Sequence, residues 1–177
     1  MIKLMLNYKI MKEIPKLYKF TTFKDKRGFF SKLLSNINKK RILKKDKIVE
    51  VNYSFNSSIG TVRGFHYQIG KYKEKKIIYC LKGKILDISI NIDKKSKNFH
   101  KTYKFILDEK KNNFLVVPKN YAHGFQVLNK DTTLIYFHTA QYNKKFEKTL
   151  SPFNEELKKK IKWPLKITNI SKKDKYT

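Results

Sequence analysis

The sequence reads Lys84-Ile-Leu-Asp-Ile-Ser-Ile-Asn-Ile-Asp93 at its most regular point. Apolar and polar side chains alternate strictly in this segment, which is typical of a β-strand with one face in a core. Across Gly83 it follows the apolar run Lys76–Cys80, which predicts a strand buried on both faces. Further strand-like segments lie at 48–55, 103–107, 114–117, 124–128 and 132–137. Many short strands joined by Gly or Asn turns, with little helix, predict an all-β antiparallel sandwich or barrel.

Helical patterns are few and short. The best candidate is 154–161, with Asn154 as N-cap and Pro164 preventing extension, and residues 33–47 are basic and loosely helical. The 177 residues are enough to enclose one hydrophobic core. Because no repeat or linker interrupts them, we expect a single domain over residues 1–177.

The charge and the single cysteine restrict the environment and the partners. Cys80 excludes an intrachain disulfide and fits a reducing compartment, and no apolar run is long enough to span a membrane, so a cytoplasmic protein without a membrane partner is expected. A net charge of +28 would attract nucleic acid, and a basic, non-catalytic nucleic-acid-binding β-barrel is therefore one alternative. However, the lysines are scattered and do not form a stripe interleaved with aromatics, so we expect no nucleic-acid partner. The positive electrostatic field of these lysines would also favour a small anionic substrate, such as one carrying a pyrophosphate.

The segment Val62-Arg-Gly-Phe-His-Tyr-Gln68 contains a histidine in a strand-like run. Strand alternation predicts that Gly64, His66 and Gln68 lie on one face. The alternate residues Arg63, Phe65 and Tyr67 would lie on the other face. Gly64 would leave open space where a ligand approaches the backbone. By itself, a lone histidine among aromatics is more often a structural residue.

A β-barrel could gather a set of polar side chains into one cavity: His66, Lys76, His123, Tyr136 and Asp174. The sequence has no Gly-rich phosphate loop and no nucleophile elbow, and Cys80 lies in an apolar strand. A metal needs three or four convergent ligands, whereas His66 has neither a second histidine nor an acidic residue within its strand. We therefore expect no metal site.

Several ordered motifs make a family resemblance specific. They are Asp25-x-Arg27-Gly28-x-Phe30, Asn52-x-Ser54, Val62–Gln68, Lys76-Ile-Ile-x-Cys-x-x-Gly83, Asp87, Pro118-x-x-x-Ala122-His123-Gly124-Phe125, Tyr136-x-x-Thr139-x-x-Tyr142, Trp163-Pro164 and Ile170-Ser-x-Lys-Asp174. Together they resemble the dTDP-4-dehydrorhamnose 3,5-epimerase family over almost the whole chain. The resemblance implies a cupin-type jelly roll with short peripheral helices and a homodimeric isomerase that uses no metal or other cofactor. The implied reaction inverts C3 and C5 of a dTDP-4-keto-6-deoxyhexose during dTDP-rhamnose and cell-surface polysaccharide biosynthesis.

The resemblance also implies a role for individual residues. His66 matches the base that removes the proton alpha to the C4 ketone, and Asp174 the carboxylate that pairs with it. Lys76 matches a cation near the substrate carbonyl, and Tyr136 the proton donor on the opposite face. Tyr142 matches the tyrosine that stacks on the nucleotide base. Other positions match the substrate site: Arg27, Phe30, Asn52, Arg63, Gln68, His123, Glu147 and Lys173.

Some positions depart from the family pattern. Lys32 stands where the family usually has Glu, Glu50 and Glu74 stand where it has Gln, and Asn154-Glu155 replaces an Asp-Pro pair. The departures near the nucleotide and sugar leave the exact sugar and base open. A second alternative is therefore an epimerase acting at C3 or C5 alone, or another isomerase of a different nucleotide-linked keto sugar.

Overall fold

The computed structural model describes residues 13–176, and the first 12 residues and the last residue of the predicted single domain lie outside this range. The described residues form twelve strands and three α-helices. In chain order these are β1 Lys16–Lys19, β2 Thr21–Asp25, β3 Gly28–Lys32, α1 Asn36–Leu43, β4 Glu50–Asn56, β5 Val62–Gln68, β6 Lys76–Lys82, β7 Lys84–Asn91, β8 Thr102–Asp108, β9 Asn113–Val117, β10 Tyr121–Val127, β11 Thr132–His138, β12 Glu147–Thr149, α2 Glu155–Lys158 and α3 Lys172–Tyr176.

Two five-stranded antiparallel sheets face each other and make a flattened barrel. The first sheet has the order β1-β9-β6-β11-β4, and the second has the order β12-β5-β10-β7-β8. A separate hairpin pairs β2 with β3. The chain alternates between the sheets so that most neighbouring strands are distant in sequence. The predicted all-β, cupin-type jelly roll with short peripheral helices is confirmed.

The space between the sheets is apolar at one end. Ile78, Leu115 and Leu134 of the first sheet meet Ile85 and Phe125 of the second sheet there, and all five are buried. Each such side chain contributes about 1.5–3 kcal/mol when it leaves water. This cluster holds the sheets together and leaves the other end of the barrel available for polar side chains.

The regular segment of the sequence forms β7, and both of its faces are buried. Leu86, Ile88 and Ile90 pack on the outer side of the second sheet, beneath Leu157 of α2. The alternate residues Asp87, Ser89 and Asn91 are also buried and point between the sheets. The predicted apolar core face is therefore covered by the C-terminal segment, and the polar face, which a solvated strand would expose, lines the barrel interior.

The predicted alternation in β5 is wrong because this strand contains a β-bulge. Opposite β10, His66 pairs with His123 and Arg63 pairs with Phe125, so three steps in β5 match two steps in β10. The extra residue turns the Arg63 side chain towards the same cavity as His66. Gly64 lies in the bulge with φ 102°, and a Cβ there would be 2.6 Å from the carbonyl oxygen of His123. The prediction that Gly64 leaves open space for a ligand is therefore wrong, because β10 occupies that space.

The predicted C-terminal helix is present but shorter than expected. The Asn154 side chain accepts a hydrogen bond from the backbone N–H of Glu156 at 3.0 Å, which confirms the N-cap. The α-helix α2 covers only Glu155–Lys158, and the basic segment near residue 40 forms α1. None of the helices within residues 13–176 has the length and apolar character required to cross a bilayer.

Candidate active site

The polar end of the barrel opens into a cleft made of two adjoining cavities. The main cavity has a volume of about 230 Å³ and is lined by residues that include Arg63, His123 and Tyr136. The side cavity has a volume of about 110 Å³. Both are lined by Asn52, His66, Lys76 and His138, so they form one continuous cleft.

A larger cavity, of about 470 Å³, lies elsewhere and has a different character. Its wall includes Lys75, whose Nζ lies 3.2 Å from Glu13 Oε2, and Lys119, whose Nζ lies 2.6 Å from Asp46 Oδ1. These charges neutralise one another, and none of the sequence-predicted site residues lines this cavity. We therefore place the candidate active site in the smaller cleft.

His66 and Asp174 form a close pair. His66 Nε2 lies 2.6 Å from Asp174 Oδ1, and the other carboxylate oxygen accepts the backbone N–H of Gly64 at 3.0 Å. Burial raises the pKa of Asp174, but the hydrogen bonds from His66 and Gly64 outweigh it and hold the pKa below its ordinary value. An ionised carboxylate on Nε2 keeps the proton on that nitrogen and leaves Nδ1 as the basic nitrogen of the ring.

Lys76 and Tyr136 reach the cleft from neighbouring strands of the first sheet, β6 and β11. Both residues are buried. Burial, and secondarily the nearby Asp87, raises the pKa of the Tyr136 phenol far above its ordinary value. The phenol is therefore protonated at neutral pH and can act as a hydrogen-bond donor or deliver a proton. Three of the four residues predicted to be catalytic, His66, Lys76 and Tyr136, line the cleft, and the fourth, Asp174, lies behind His66 and is bonded to it.

His123 is held from behind by a buried carboxyl group. Its Nδ1 lies 3.1 Å from Asp87 Oδ2, and Ser89 Oγ donates to Asp87 Oδ1 at 3.2 Å. Burial raises the pKa of Asp87 to about 8. Burial, followed by the charge of Lys76, lowers the pKa of His123, so this imidazole is neutral at neutral pH. The polar face of β7 therefore provides the support for a ring in the cleft wall.

Three further predicted substrate residues line the cleft at different positions. Arg63 Nε donates to Asn56 Oδ1 at 2.7 Å, which fixes the exposed guanidinium at the rim. Asn52 lies on β4 and contributes to both cavities. Gln68 is buried in the wall of the side cavity, where its amide nitrogen donates to the carbonyls of Tyr72 and Gln141. Gln68 thus holds the loops around the side cavity in place.

Tyr142, Glu147 and Lys173 form a chain of contacts at the mouth of the cleft. The Tyr142 hydroxyl donates to Glu147 Oε2 at 2.9 Å, and Lys173 Nζ lies 2.5 Å from the same oxygen. The hydrogen bond to Glu147, aided by burial, raises the pKa of Tyr142. Since more than half of Tyr142 is exposed, its ring is free to contact a planar group.

Arg27 and Phe30 are not brought into the cleft of their own chain. Both lie on the β2–β3 hairpin, where the Arg27 side chain is 90% exposed and bonds only Asp25, at 2.7 Å, among the described residues. Phe30 is 64% exposed. Within one chain, these two predicted substrate residues and the cleft are separate.

His138 and Glu74 belong to the cleft, and His138 was missed from the sequence. His138 lines both cavities, and Glu74 lines the side cavity. The sequence contained a usable signal, because His138 follows Tyr136 by two positions on one strand and must share its face. Glu74 was noticed only as a departure from the family pattern. Within residues 13–176, no three His, Cys, Asp or Glu side chains converge in a way that could hold a metal ion.

Comparison with known proteins gives a consistent result. The family model described as dTDP-4-dehydrorhamnose 3,5-epimerase matches residues 12–177. A dTDP-4-dehydrorhamnose 3,5-epimerase from Shigella flexneri is 30% identical over 168 residues, which cover 93% of this chain and 91% of the relative.

Solved structures agree with this sequence similarity. The dTDP-4-dehydrorhamnose 3,5-epimerase from Bacillus anthracis, crystallised with TDP and PPi bound, has a TM-score of 0.86 and 29% identity, covering 92% of this chain and 91% of that one. The dTDP-6-deoxy-D-glucose-3,5-epimerase from Legionella pneumophila, in complex with dTDP-4-keto-L-rhamnose, has a TM-score of 0.83 and 29% identity, covering 90% and 84%. Both similarities extend over nearly the whole of each chain.

Proposed function

Since this chain belongs to the dTDP-4-dehydrorhamnose 3,5-epimerase family and is therefore an isomerase, we propose that His66, Lys76 and Tyr136 invert C3 and C5 of a dTDP-linked 4-keto-6-deoxyhexose. The observation that supports these roles best is the cleft itself. An imidazole bonded to a buried carboxylate at 2.6 Å shares this cleft with a buried ammonium and a protonated phenol.

The reaction is a pair of proton transfers at each carbon. His66 Nδ1 takes the proton from the carbon next to the C4 ketone, and the C–H electron pair forms the carbon–carbon double bond of an enolate. Lys76 stabilises the negative charge that develops on the C4 oxygen. Tyr136 then gives its hydroxyl proton to the opposite face of the carbon. Before the next inversion the phenolate regains a proton from solvent, and the His66 imidazolium releases the proton that it took. A positioned acid or base of this kind typically contributes about 10²–10⁴-fold to the rate. Neither step requires a metal or another cofactor.

The nucleotide diphosphate lies towards the mouth of the cleft. Arg63 and Lys173 are cations at this end, and a guanidinium suits the paired oxygens of a phosphate. The exposed ring of Tyr142 can stack on the base. The relatives crystallised with TDP or with a dTDP-sugar support this class of ligand.

A homodimer would reconcile the positions of Arg27 and Phe30 with their predicted role. The outer face of β4, an edge strand, presents Val51, Tyr53 and Phe55, which are between 51% and 68% exposed. Exposed apolar edge strands favour association with another chain. In such a dimer, the β2–β3 hairpin of one subunit delivers Arg27 and Phe30 to the cleft of the other.

Mixing two inactive variants tests this exchange. Arg27→Ala and His66→Asn subunits are each expected to have low activity alone. If Arg27 acts in the partner's cleft, a mixed dimer contains one complete cleft and activity returns on mixing. No recovery from subunits shown to form mixed dimers, by co-purification through an affinity tag on one variant, would place Arg27 outside the partner's site.

Incubation with the 4-keto substrate in deuterated water tests the reaction. We expect deuterium at both C3 and C5, detected by NMR, and no exchange with His66→Asn. Tyr136→Phe should block inversion while some exchange continues, whereas Tyr142→Phe should retain inversion. Exchange at one carbon alone would identify a single-carbon epimerase.

The remaining expectations concern the cellular setting. The protein works in the cytoplasm without a membrane or nucleic-acid partner, and its product feeds a deoxysugar of a surface polysaccharide. A salt-sensitive gel shift, together with no thermal stabilisation by a dTDP-sugar, would instead favour the nucleic-acid-binding alternative.

A further inference from the structure

Glu74 uses its two carboxylate oxygens for two different partners in the cleft. Its Oε1 lies 3.4 Å from Lys76 Nζ, and its Oε2 accepts a hydrogen bond from His138 Nδ1 at 2.7 Å. The Glu74 side chain is only 7% exposed and that of His138 is 13% exposed. The contact with His138 is therefore a charge-assisted hydrogen bond that is largely protected from water.

Strand register brings these groups together. His138 lies directly opposite Lys76 in the β6–β11 pair and directly opposite Glu50 in the β4–β11 pair. Side chains opposite each other on antiparallel strands have Cβ atoms about 4.5–5.5 Å apart. Because His138 follows Tyr136 by two residues, its ring lies in the same row of the cleft wall as the proposed proton donor.

The second ring nitrogen of His138 is also engaged. Its Nε2 lies 3.4 Å from Asn52 Nδ2, and this amide also donates to Glu50 Oε1 at 2.7 Å. Glu50 Oε2 in turn accepts the backbone N–H of Tyr142 at 2.9 Å. The ring is thus held at both nitrogens, and it presents its Nδ1–H to Glu74 in a fixed direction.

The charge state of Glu74 is suited to holding a cation. Burial raises its pKa, but the hydrogen bond from His138 and the charge of Lys76 together outweigh burial and keep the pKa below its ordinary value. The carboxylate therefore remains ionised beside Lys76. An ammonium on a flexible side chain needs such a partner to stay in one position when it is buried.

We propose that His138 is a positioning residue, which acts through Glu74 to hold the ammonium of Lys76 in place for the enolate oxygen. The inference rests on the proposed function, because it gives Lys76 a part in the epimerisation. Both ring nitrogens of His138 are already engaged, by Glu74 and by Asn52, so its part is to hold Glu74 and not to transfer a proton. A purely structural pair would fix the 70–75 loop to the sheet, but it would not require a second carboxylate oxygen directed at Lys76.

The test compares substitutions in the full-length protein. His138→Ala removes the donor, His138→Asn places an amide N–H near the position of Nδ1, and Glu74→Gln removes the carboxylate charge. The matched control is His100→Ala, because His100 Nδ1 also pairs with a glutamate, Glu156, at 3.2 Å but lies outside the cleft. Turnover, KM and deuterium exchange would be measured with the dTDP-linked 4-keto sugar, and dTDP binding would be measured by calorimetry.

We expect a loss confined mainly to turnover. The outer partners that orient metal-binding side chains typically contribute about 10–100-fold to activity. By analogy, kcat should fall by about this factor in His138→Ala, while KM and dTDP affinity change little. His138→Asn should recover most of the loss, and His100→Ala should match the unmodified protein. In a His138→Ala/Glu74→Gln double variant the losses should not add, because both act on Lys76 along one route.

Two results would overturn the inference while leaving the proposed function intact. One is unchanged kcat in His138→Ala. The other is that His138→Asn loses as much kcat and as much melting temperature as His138→Ala does, which would indicate a structural role. If instead the unmodified protein exchanges no deuterium, or if His66→Asn exchanges as fast, the proposed function fails, and the role of His138 fails with it.

Discussion

Asp174 accepts the backbone N–H of Gly64 and also bonds the His66 ring, and Asp174→Asn separates these two contacts. The substitution keeps the shape of the side chain, and the new amide oxygen can still accept the Gly64 N–H, which lies at 3.0 Å in the unmodified protein. The amide nitrogen, however, would face His66 Nε2, at present 2.6 Å from a carboxylate oxygen. Because an amide N–H can only donate, the ring proton must move from Nε2 to Nδ1. The nitrogen that should accept the substrate proton would then already carry one.

The size of the loss follows from these contacts. A hydrogen bond to a charged group contributes about 1.5–3 kcal/mol, which alone corresponds to about 10–150-fold at about 1.4 kcal/mol per tenfold change. The loss of the basic tautomer removes a general base, which typically contributes about 10²–10⁴-fold. We therefore expect exchange at C3 and C5 to slow by about 10²–10⁴-fold, while binding of dTDP remains unchanged.

The assay is the rate of deuterium uptake at each carbon under single-turnover conditions, followed by NMR. Asp46→Asn is the matched control, because Asp46 also accepts a short hydrogen bond from a side chain, that of Lys119 at 2.6 Å, but lies in the wall of the other cavity. It should exchange at the unmodified rate. If Asp174→Asn retains that rate while it remains folded, His66 is not the base, or the carboxylate does not set its tautomer.

Three further substitutions test other parts of the structure. Gly64→Ala should destabilise the protein by at least about 1–3 kcal/mol in chemical denaturation, because φ is 102° and the new Cβ would meet the His123 carbonyl; unchanged stability would contradict the bulge. Because burial raises the pKa of Asp87 to about 8, the folded protein holds the carboxyl group in its protonated form. This contribution to stability is present at low pH and is lost as the pH rises through about 8. The melting temperature of Asp87→Asn relative to the unmodified protein should therefore increase from pH 6.5 to pH 8, a range in which folded His123 is neutral. Tyr142→Ala should weaken dTDP binding by about 1–3 kcal/mol at unchanged kcat, as expected for a lost stacking contact, and calorimetry would measure it.

The fold class could be predicted because its main signal is local. In β7, the alternation of apolar and polar residues over ten positions defines a strand whatever lies next to it. The same pattern could not say what each face would meet. Alternation predicts a solvated polar face, yet Asp87 and Ser89 are buried between the sheets and support His123. That arrangement depends on β10, more than thirty residues later, and no local rule contains it.

The candidate site was predicted in its chemistry but only partly in its geometry. The family resemblance supplied His66, Lys76 and Tyr136, which line the cleft, and Asp174, which is bonded to His66. Strand alternation gave the wrong face for Arg63. The extra residue of the bulge in β5 lies between Arg63 and His66, so both side chains point into the same cavity. Local alternation was enough to place His138 on the face of Tyr136, but its position opposite Lys76 depends on the register of β11 against β6, which is fixed only in the folded barrel.

The cleft contains several buried ionisable groups although the protein carries a net charge of +28. Each buried carboxylate is matched locally: Asp174 with His66, and Glu74 with Lys76 and His138, while Asp87 is largely relieved of charge by its raised pKa. An unpaired buried charge costs several kcal/mol, so these pairings are what make the polar end of the barrel compatible with a stable fold. The surface lysines can attract an anionic nucleotide sugar from solution, but they do not set the protonation states inside the cleft. Those states are set by three contacts, His66 with Asp174, His123 with Asp87 and His138 with Glu74, and the proposed epimerisation depends on them.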